Sequence, residues 1–317
     1  MRKGQNPAKF VDSVAKPSTI TVAVLNYIPY LSGFYSDSLQ VLKTCLKSIN
    51  NETKLDFDLL VFDNGSCSEV QSFLLEEKIN GNIQFLILSD KNLGKGGAWN
   101  IIFNASPGKI ISYADSDIYF HEDWLTKSIQ ILDSFPNVGM VTARPYVTDQ
   151  EYLTSTLKWA KENSKVELKS GKLLPWEVFS DFLLSLGRTL DEIKLEYNSN
   201  DMFLLKYEDS LAYAGASHWQ FTTKKSIIQK FLPFEMNRPM GQVNLLDKRM
   251  NELGFLRLMT HEVLADNLSN SLDKNSFDLV NNKVDSKKIV HRILDIPIIK
   301  SVLLFLHHRI FLAYYNR

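Results

Sequence analysis

Apolar residues along this chain fall into short blocks that alternate between two spacings. Residues 19–25, Thr-Ile-Thr-Val-Ala-Val-Leu, are a run rich in β-branched residues between Pro17 and Pro29, which predicts a buried strand. Residues 36–51 then place Leu39, Leu42, Leu46 and Ile49 at helical spacing. Two further strand-like runs follow at 58–62 and 83–88, with a helix reaching to about Asn80 between them. Lys91 to Gly97 reads as a glycine-rich turn into a helix that carries Ala98, Trp99, Asn100, Ile101 and Phe103. Residues 110–114 predict a fourth strand, 122–135 a helix and 138–142 another strand. Strand and helix in alternation on this scale predict an α/β fold, a mostly parallel central sheet with flanking helices.

Beyond residue 142 the pattern loosens. The stretch 150–196 mixes helical segments with a charged segment at 161–172 and reads as an insertion. Residues 214–222 lead to a helix at 224–231. A second helix spans 243–253 with Gly254 as its C-cap, and a final strand is expected at 255–259. From Lys287 onward apolar residues are interleaved with Lys, Arg and His, and no apolar run approaches the roughly 20 residues needed to span a bilayer. A basic amphipathic segment over 285–317 has two open readings, contact with a membrane surface or docking on the catalytic domain or a second subunit. The expected domains are a flexible tail at 1–17, two halves of one α/β domain at 18–142 and 143–268, and the C-terminal helical segment at 269–317.

Charge and cysteine usage narrow the class. With 36 basic and 36 acidic side chains, no whole-chain field favours nucleic acid, so any polyanion is bound locally. Cys45 and Cys67 lack metal-ligand spacing, and the polar first 16 residues have no apolar signal core, so a cytoplasmic location is expected. Nothing in the composition sets an oligomeric state.

The strand ends carry the candidate chemistry. Asn26-Tyr27 follows the first strand, Asp63-Asn64-Gly65-Ser66 the second, Asn92 to Gly97 the third, and Asp115-Ser116-Asp117 the fourth. Ligands of open α/β sheets sit outside the carboxyl ends of the strands, and paired acids there suit Mg²⁺ or Mn²⁺ completed by substrate phosphates. Each motif alone also reads as a plain turn. Together, over roughly 19–142 and in this order, they resemble the nucleotide-binding half of the family 2 glycosyltransferases with the GT-A fold.

That resemblance implies transfer of a sugar from a nucleoside diphosphate sugar, UDP-linked by preference, to a glycan or lipid-linked acceptor; the basic amphipathic segment at 285–317 points to a membrane-proximal acceptor, as in bacterial surface polysaccharide synthesis. It implies that Asn26, Tyr27 and Asp63 line base and ribose, that Asn92, Gly94 and Lys95 approach the nucleotide, and that Asp115 holds ribose or metal. Asp117 would coordinate the metal bridging the phosphates. In the second half, His218 and Trp219 fall where donor or acceptor sugar would lie, Trp219 reading equally as core. Laying the family's Glu-Asp helix on Arg249 and Gly254 puts Gln242 and Val243 where the general base belongs. Asp247, Asp201 and Glu235 are the remaining base candidates, and a retaining reaction without a base stays open. For a third metal ligand the resemblance points to the pair Asp266-Asn267 ahead of His261, with Asp266 preferred. Two alternatives stand beside the enzyme: a non-catalytic nucleotide-sugar-binding module, and a sugar-nucleotide nucleotidyltransferase. The latter is disfavoured because Leu25-Asn26-Tyr27-Ile28-Pro29 is not a glycine- and arginine-rich phosphate loop.

Overall fold

The computed structural model describes residues 3–237 and 242–272. The basic stretch over 285–317 lies outside them. Strand β1 (Ile20–Asn26) is followed by α1 (Ser38–Glu52), β2 (Asp58–Asp63), α2 (Ser68–Ile79), β3 (Phe85–Leu88), α3 (Gly94–Ala105) and β4 (Ile110–Asp115). These four strands are parallel in the order β3-β2-β1-β4, so the chain reverses its direction of travel across the sheet between β1 and β4. Such a reversal opens a crevice at the strands' carboxyl ends. Register aligns the expected polar cargo there: Leu25 lies opposite Asp115, and Asn26 opposite Asp63.

After β4 come β5 (Ile118–Phe120), α4 (Trp124–Ser134) and β6 (Val138–Thr142), then α5 (Thr154–Glu162), β7 (Val166–Gly171), α6 (Trp176–Ser185) and α7 (Leu190–Ser199). The remainder is β8 (Met202–Tyr207), β9 (Ser210–Ala214), β10 (Gln220–Lys224), α8 (Lys225–Ile228), α9 (Gln242–Glu252), β11 (Leu256–Met259) and β12 (Ala265–Asn267). Ten strands make one sheet, β3-β2-β1-β4-β10-β6-β11-β9-β8-β7, and seven of them run in one direction among the described residues. A two-stranded sheet pairs β12 with β5. No helix among the described residues is long and apolar enough to cross a membrane.

Period-2 alternation distributes β1 over two cores. Val22 and Val24 pack with Leu42 and Leu46 of α1 and Val70 and Leu74 of α2, while Ala23 faces Trp99 and Phe103 of α3 and Leu246 of α9. A third core joins α4 to β8, β9 and β11. Three expectations are corrected. The charged segment at 161–172 contains an edge strand, β7, where alternating exposed and half-buried residues tolerate charge. Residues 202–214 form the hairpin β8–β9, which the loose periodicity did not suggest. The helix expected at 224–231 begins one residue later, because residues 220–224 form β10, antiparallel between β4 and β6. Its polar side chains are buried in hydrogen bonds, Thr222 with Ser112 at 2.9 Å and Thr223 to the Gly139 carbonyl at 2.6 Å.

Candidate active site

The floor of the crevice is a polar knot between β1 and β2. Asn26 Nδ2 donates to Asp63 Oδ1 at 2.9 Å and lies 3.0 Å from Ser66 Oγ, which in turn accepts from the Ile28 amide at 2.9 Å. Asp63 Oδ2 accepts from the Ser66 amide at 3.0 Å and Gln71 Nε2 at 3.2 Å. Asn26 and Asp63 are fully buried. Asp63 therefore has both oxygens engaged within the protein and lies beneath the crevice surface.

The next two strand ends are tied together. Asn64 donates to Asn92 Oδ1 at 3.0 Å and accepts from the Leu93 amide at 2.9 Å, and Asn92 Oδ1 also accepts from the Gly94 amide at 2.8 Å. Gly65, at φ +88°, lets the two loops touch, since a Cβ there would lie 2.9 Å from the Lys91 carbonyl carbon. The glycine-rich turn starts α3 and aims Lys95 across the crevice. Its Nζ lies 2.7 Å from Asp115 Oδ2, while the Tyr113 hydroxyl donates to Asp115 Oδ1 at 2.5 Å. Burial, reinforced by the Asp115 charge, raises the Tyr113 phenol well above its ordinary range, so it stays a donor.

Asp117 differs from its neighbour. Its Oδ1 is buried and makes no hydrogen bond with the described residues. Burial first, and the Asp115 charge second, raise its carboxyl to about 7. A buried carboxylate oxygen without a partner, one residue from a second acid, fits a divalent cation whose remaining ligands come from phosphates and water. Among the described residues no cluster of three or more His, Cys, Asp or Glu is placed to hold a metal alone. Asp266 does not join the pair, because its carboxylate engages buried Arg144 and lies 2.7 Å from His121 Nε2. Its neighbour Asn267 faces the crevice instead.

Two chambers meet at the acids. One, of about 550 Å³, is lined by Tyr27, Tyr35, Asp115, Asp117 and Asn267. The other, of about 670 Å³, is lined by Lys95, Asp115, Tyr146, His218, Trp219, Asp247 and Arg257. Asp115, Leu186 and Asn267 border both, Leu186 coming from the α6–α7 turn. Both volumes fall in the usual range of ligand pockets, roughly 300–1,000 Å³.

In the second chamber Asp247 Oδ2 lies 3.0 Å from His218 Nδ1, and its Oδ1 lies 2.8 Å from Arg257 Nη2. Arg257, 1% exposed, also donates to the carbonyls of Tyr152 at 3.0 Å and Ala216 at 2.5 Å. Tyr146, raised to about 12 mainly by burial, donates to the same Ala216 oxygen at 2.6 Å. Trp219 is buried against Phe182, with ring centroids 5.6 Å apart. Asp201 and Glu235 stand apart from these groups: Asp201 is exposed and 3.1 Å from Lys172, and Glu235 accepts from Asn237 at 2.9 Å. Arg257 and Tyr146 were not singled out in the sequence. Arg257 had a signal, a lone arginine inside the apolar strand Phe-Leu-Arg-Leu-Met.

A parallel α/β sheet with its acid pair at the strand reversal, followed by a mixed extension, defines the GT-A class. The Glycosyl transferase family 2 model matches residues 34–190, and the chain belongs to that family. The match runs past β6 into the segment read from sequence as an insertion. An uncharacterized glycosyltransferase of Methanocaldococcus jannaschii is 25% identical over 117 residues, 37% of this chain and 40% of that protein. The chain matches well under half the length of its curated relatives. A mannosyltransferase of Pyrobaculum calidifontis in complex with GDP-Man and Mn²⁺ is 14% identical, covering 79% of this chain and 56% of that one, with a TM-score of 0.47. S. aureus TarS in complex with UDP-GlcNAc is 13% identical, covering 78% and 58%, with a TM-score of 0.46.

Proposed function

We propose that the protein transfers a sugar from a nucleoside diphosphate sugar, UDP-linked by preference, to a glycan or lipid-linked acceptor. The observation that carries this reading is Asp117, whose unpartnered buried oxygen lies beside Asp115 where the two chambers meet. The chamber containing Tyr27 and Asp117 takes the donor, and the one containing His218 and Trp219 takes the acceptor. Asp117, with Asp115 beside it, would hold Mn²⁺ or Mg²⁺, which when bound neutralises charge building on the departing diphosphate. Lys95, on the wall of the acceptor chamber, adds a positive charge against Asp115, the acid that borders both chambers. Asp63 and Asn26 act from below by holding the first two strand ends in register, and Tyr27 contacts the nucleoside. A membrane-proximal, surface-polysaccharide role is the setting in which a lipid-linked acceptor and the basic segment at 285–317 fit together.

The test is release of nucleoside diphosphate from a panel of nucleotide sugars with Mn²⁺. Turnover of one donor, abolished by Asp117→Asn with the fold intact, is expected. Full activity in Asp117→Asn contradicts the assignment. Specific binding without turnover of any donor favours the non-catalytic binding module, a reading kept in view by Gln242 and Val243 at the usual base position.

A further inference from the structure

Resting on the donor and acceptor assignment above, we propose that His218 is the general base of the transfer and that Asp247, anchored by Arg257, is its positioning residue. The carboxylate expected at Gln242 and Val243 is missing, and Asp247 sits one turn further along α9. Asp247 is itself 5% exposed, with Oδ2 3.0 Å from His218 Nδ1 and Oδ1 ion-paired with Arg257 but making no hydrogen bond among the described residues. An ionised carboxylate only accepts hydrogen bonds, so the 3.0 Å contact puts the imidazole proton on Nδ1 and leaves the Nε2 lone pair available. His218 is 28% exposed and lines the acceptor chamber, so this ring is open to a substrate hydroxyl.

The loop that carries His218 is held from three strands. The Gly215 amide donates to the Arg257 carbonyl at 2.9 Å, the Ser217 amide to Thr142 Oγ1 at 2.8 Å, and the Asp115 amide to the Trp219 carbonyl at 2.9 Å. The last bond fastens the loop to the end of β4, beside the diphosphate side of the crevice. A base belongs there, between an acceptor hydroxyl and the donor's anomeric carbon. In the step, the acceptor oxygen bonds to the anomeric carbon as the bond from that carbon to the diphosphate oxygen breaks, its electron pair leaving with the diphosphate. The hydroxyl proton passes to His218 Nε2, and Asp247 stabilises the imidazolium. A single displacement of this kind inverts the anomeric centre.

The other charged groups on the chamber wall are mostly paired. Lys95 pairs with Asp115 at 2.7 Å, Arg188 with Glu196 at 3.0 Å and Arg257 with Asp247; Asp149, Tyr146 and Tyr152 are the other titratable residues of the wall. The test compares wild type, His218→Gln and Asp247→Asn in nucleoside diphosphate release from UDP- and GDP-sugars with Mn²⁺, water serving as acceptor, across pH 5–9. Wild-type kcat/KM should rise with pH through a limb, because a base that already carries a proton cannot take the acceptor's. His218→Gln should fall by about 10²–10⁴-fold and lose that limb, while its donor-induced thermal shift stays that of wild type. Asp247→Asn should lower kcat and displace the limb. Mn²⁺ is kept saturating at every pH so that proton competition at Asp117 adds no limb, and a limb that then survives in His218→Gln overturns the proposal. Activity of His218→Gln within a few-fold of wild type does the same. Nitrogen-15 NMR of the imidazole gives a readout independent of turnover: protonated Nδ1 in wild type, lost in Asp247→Asn. Protonated Nε2 with bare Nδ1 contradicts the proposal. A wild type that neither shifts nor turns over with any donor refutes the nucleotide-sugar reading beneath it, a result distinct from an active wild type matched by His218→Gln.

Discussion

Lys95 Nζ and Asp115 Oδ2, 2.7 Å apart, join the glycine-rich turn before α3 to the acid pair after β4. The ammonium is held over the rings of Trp99 and Tyr113, at 5.5 and 5.7 Å from their centroids, and is 10% exposed. Replacing it leaves a partly buried carboxylate with one partner fewer. Lys95→Met should cost about 1–3 kcal/mol of stability and raise the donor KM at least tenfold, read by urea denaturation and donor titration. An unchanged donor KM shows that this charge does not reach the diphosphate.

Asp117 predicts a pH dependence. Its carboxyl is raised to about 7 by burial and by Asp115, against about 3.9 in an unfolded chain. Between those values the metal-free folded protein holds a proton that the unfolded chain has released. This group's contribution therefore lowers stability as pH rises from about 4 through 7, and the penalty is fully present above 7. Asp117→Asn should raise the metal-free melting temperature at pH 8 by a few degrees and change it little at pH 4. Mn²⁺ competes with the same proton, so its affinity should fall up to tenfold per unit as pH drops below 7.

Asp63 is predicted to act through the fold. Both oxygens accept from Asn26, the Ser66 amide and Gln71, so Asp63→Asn would turn an amide donor toward other donors. A loss of about 2–3 kcal/mol is expected, visible as a lower urea midpoint at unchanged slope. A stable Asp63→Asn that loses only nucleotide binding points instead to direct contact with the base.

Gly65 tests the contact between the second and third strand ends. At φ +88°, with a Cβ 2.9 Å from Lys91 backbone, Gly65→Ala should destabilise by about 1–3 kcal/mol and weaken donor binding through the displaced Asn92 loop. Wild-type behaviour would mean that the loops yield freely.

The first half of this site was legible because four long apolar runs each end in polar residues, and parallel pairing brings such ends to one edge. The second half was not. Strands β7 to β10 are short, and their charged or hydroxyl side chains mask the period-2 signal; Thr222 and Thr223 satisfy themselves across the sheet, which no local pattern reveals. Choosing Asp266 over Asn267 turned on a one-residue alternation. In β12, Asp266 points to Arg144 and His121, while Asn267 points into the chambers. Asp247 was visible as a carboxylate on α9, but its partners His218 and Arg257 lie 29 and 10 residues away along the chain, beyond the reach of spacing.

The central claim is that the acid pair binds a nucleoside diphosphate sugar through a divalent cation. Thermal unfolding with a panel of nucleotides and nucleotide sugars, each with and without Mn²⁺, tests it most directly, since a ligand that binds only the folded state raises the transition by mass action. The account predicts a base-selective shift, largest for a UDP-sugar, that needs Mn²⁺ and disappears in Asp117→Asn. No shift with any nucleotide, or one indifferent to both Mn²⁺ and Asp117→Asn, would contradict it.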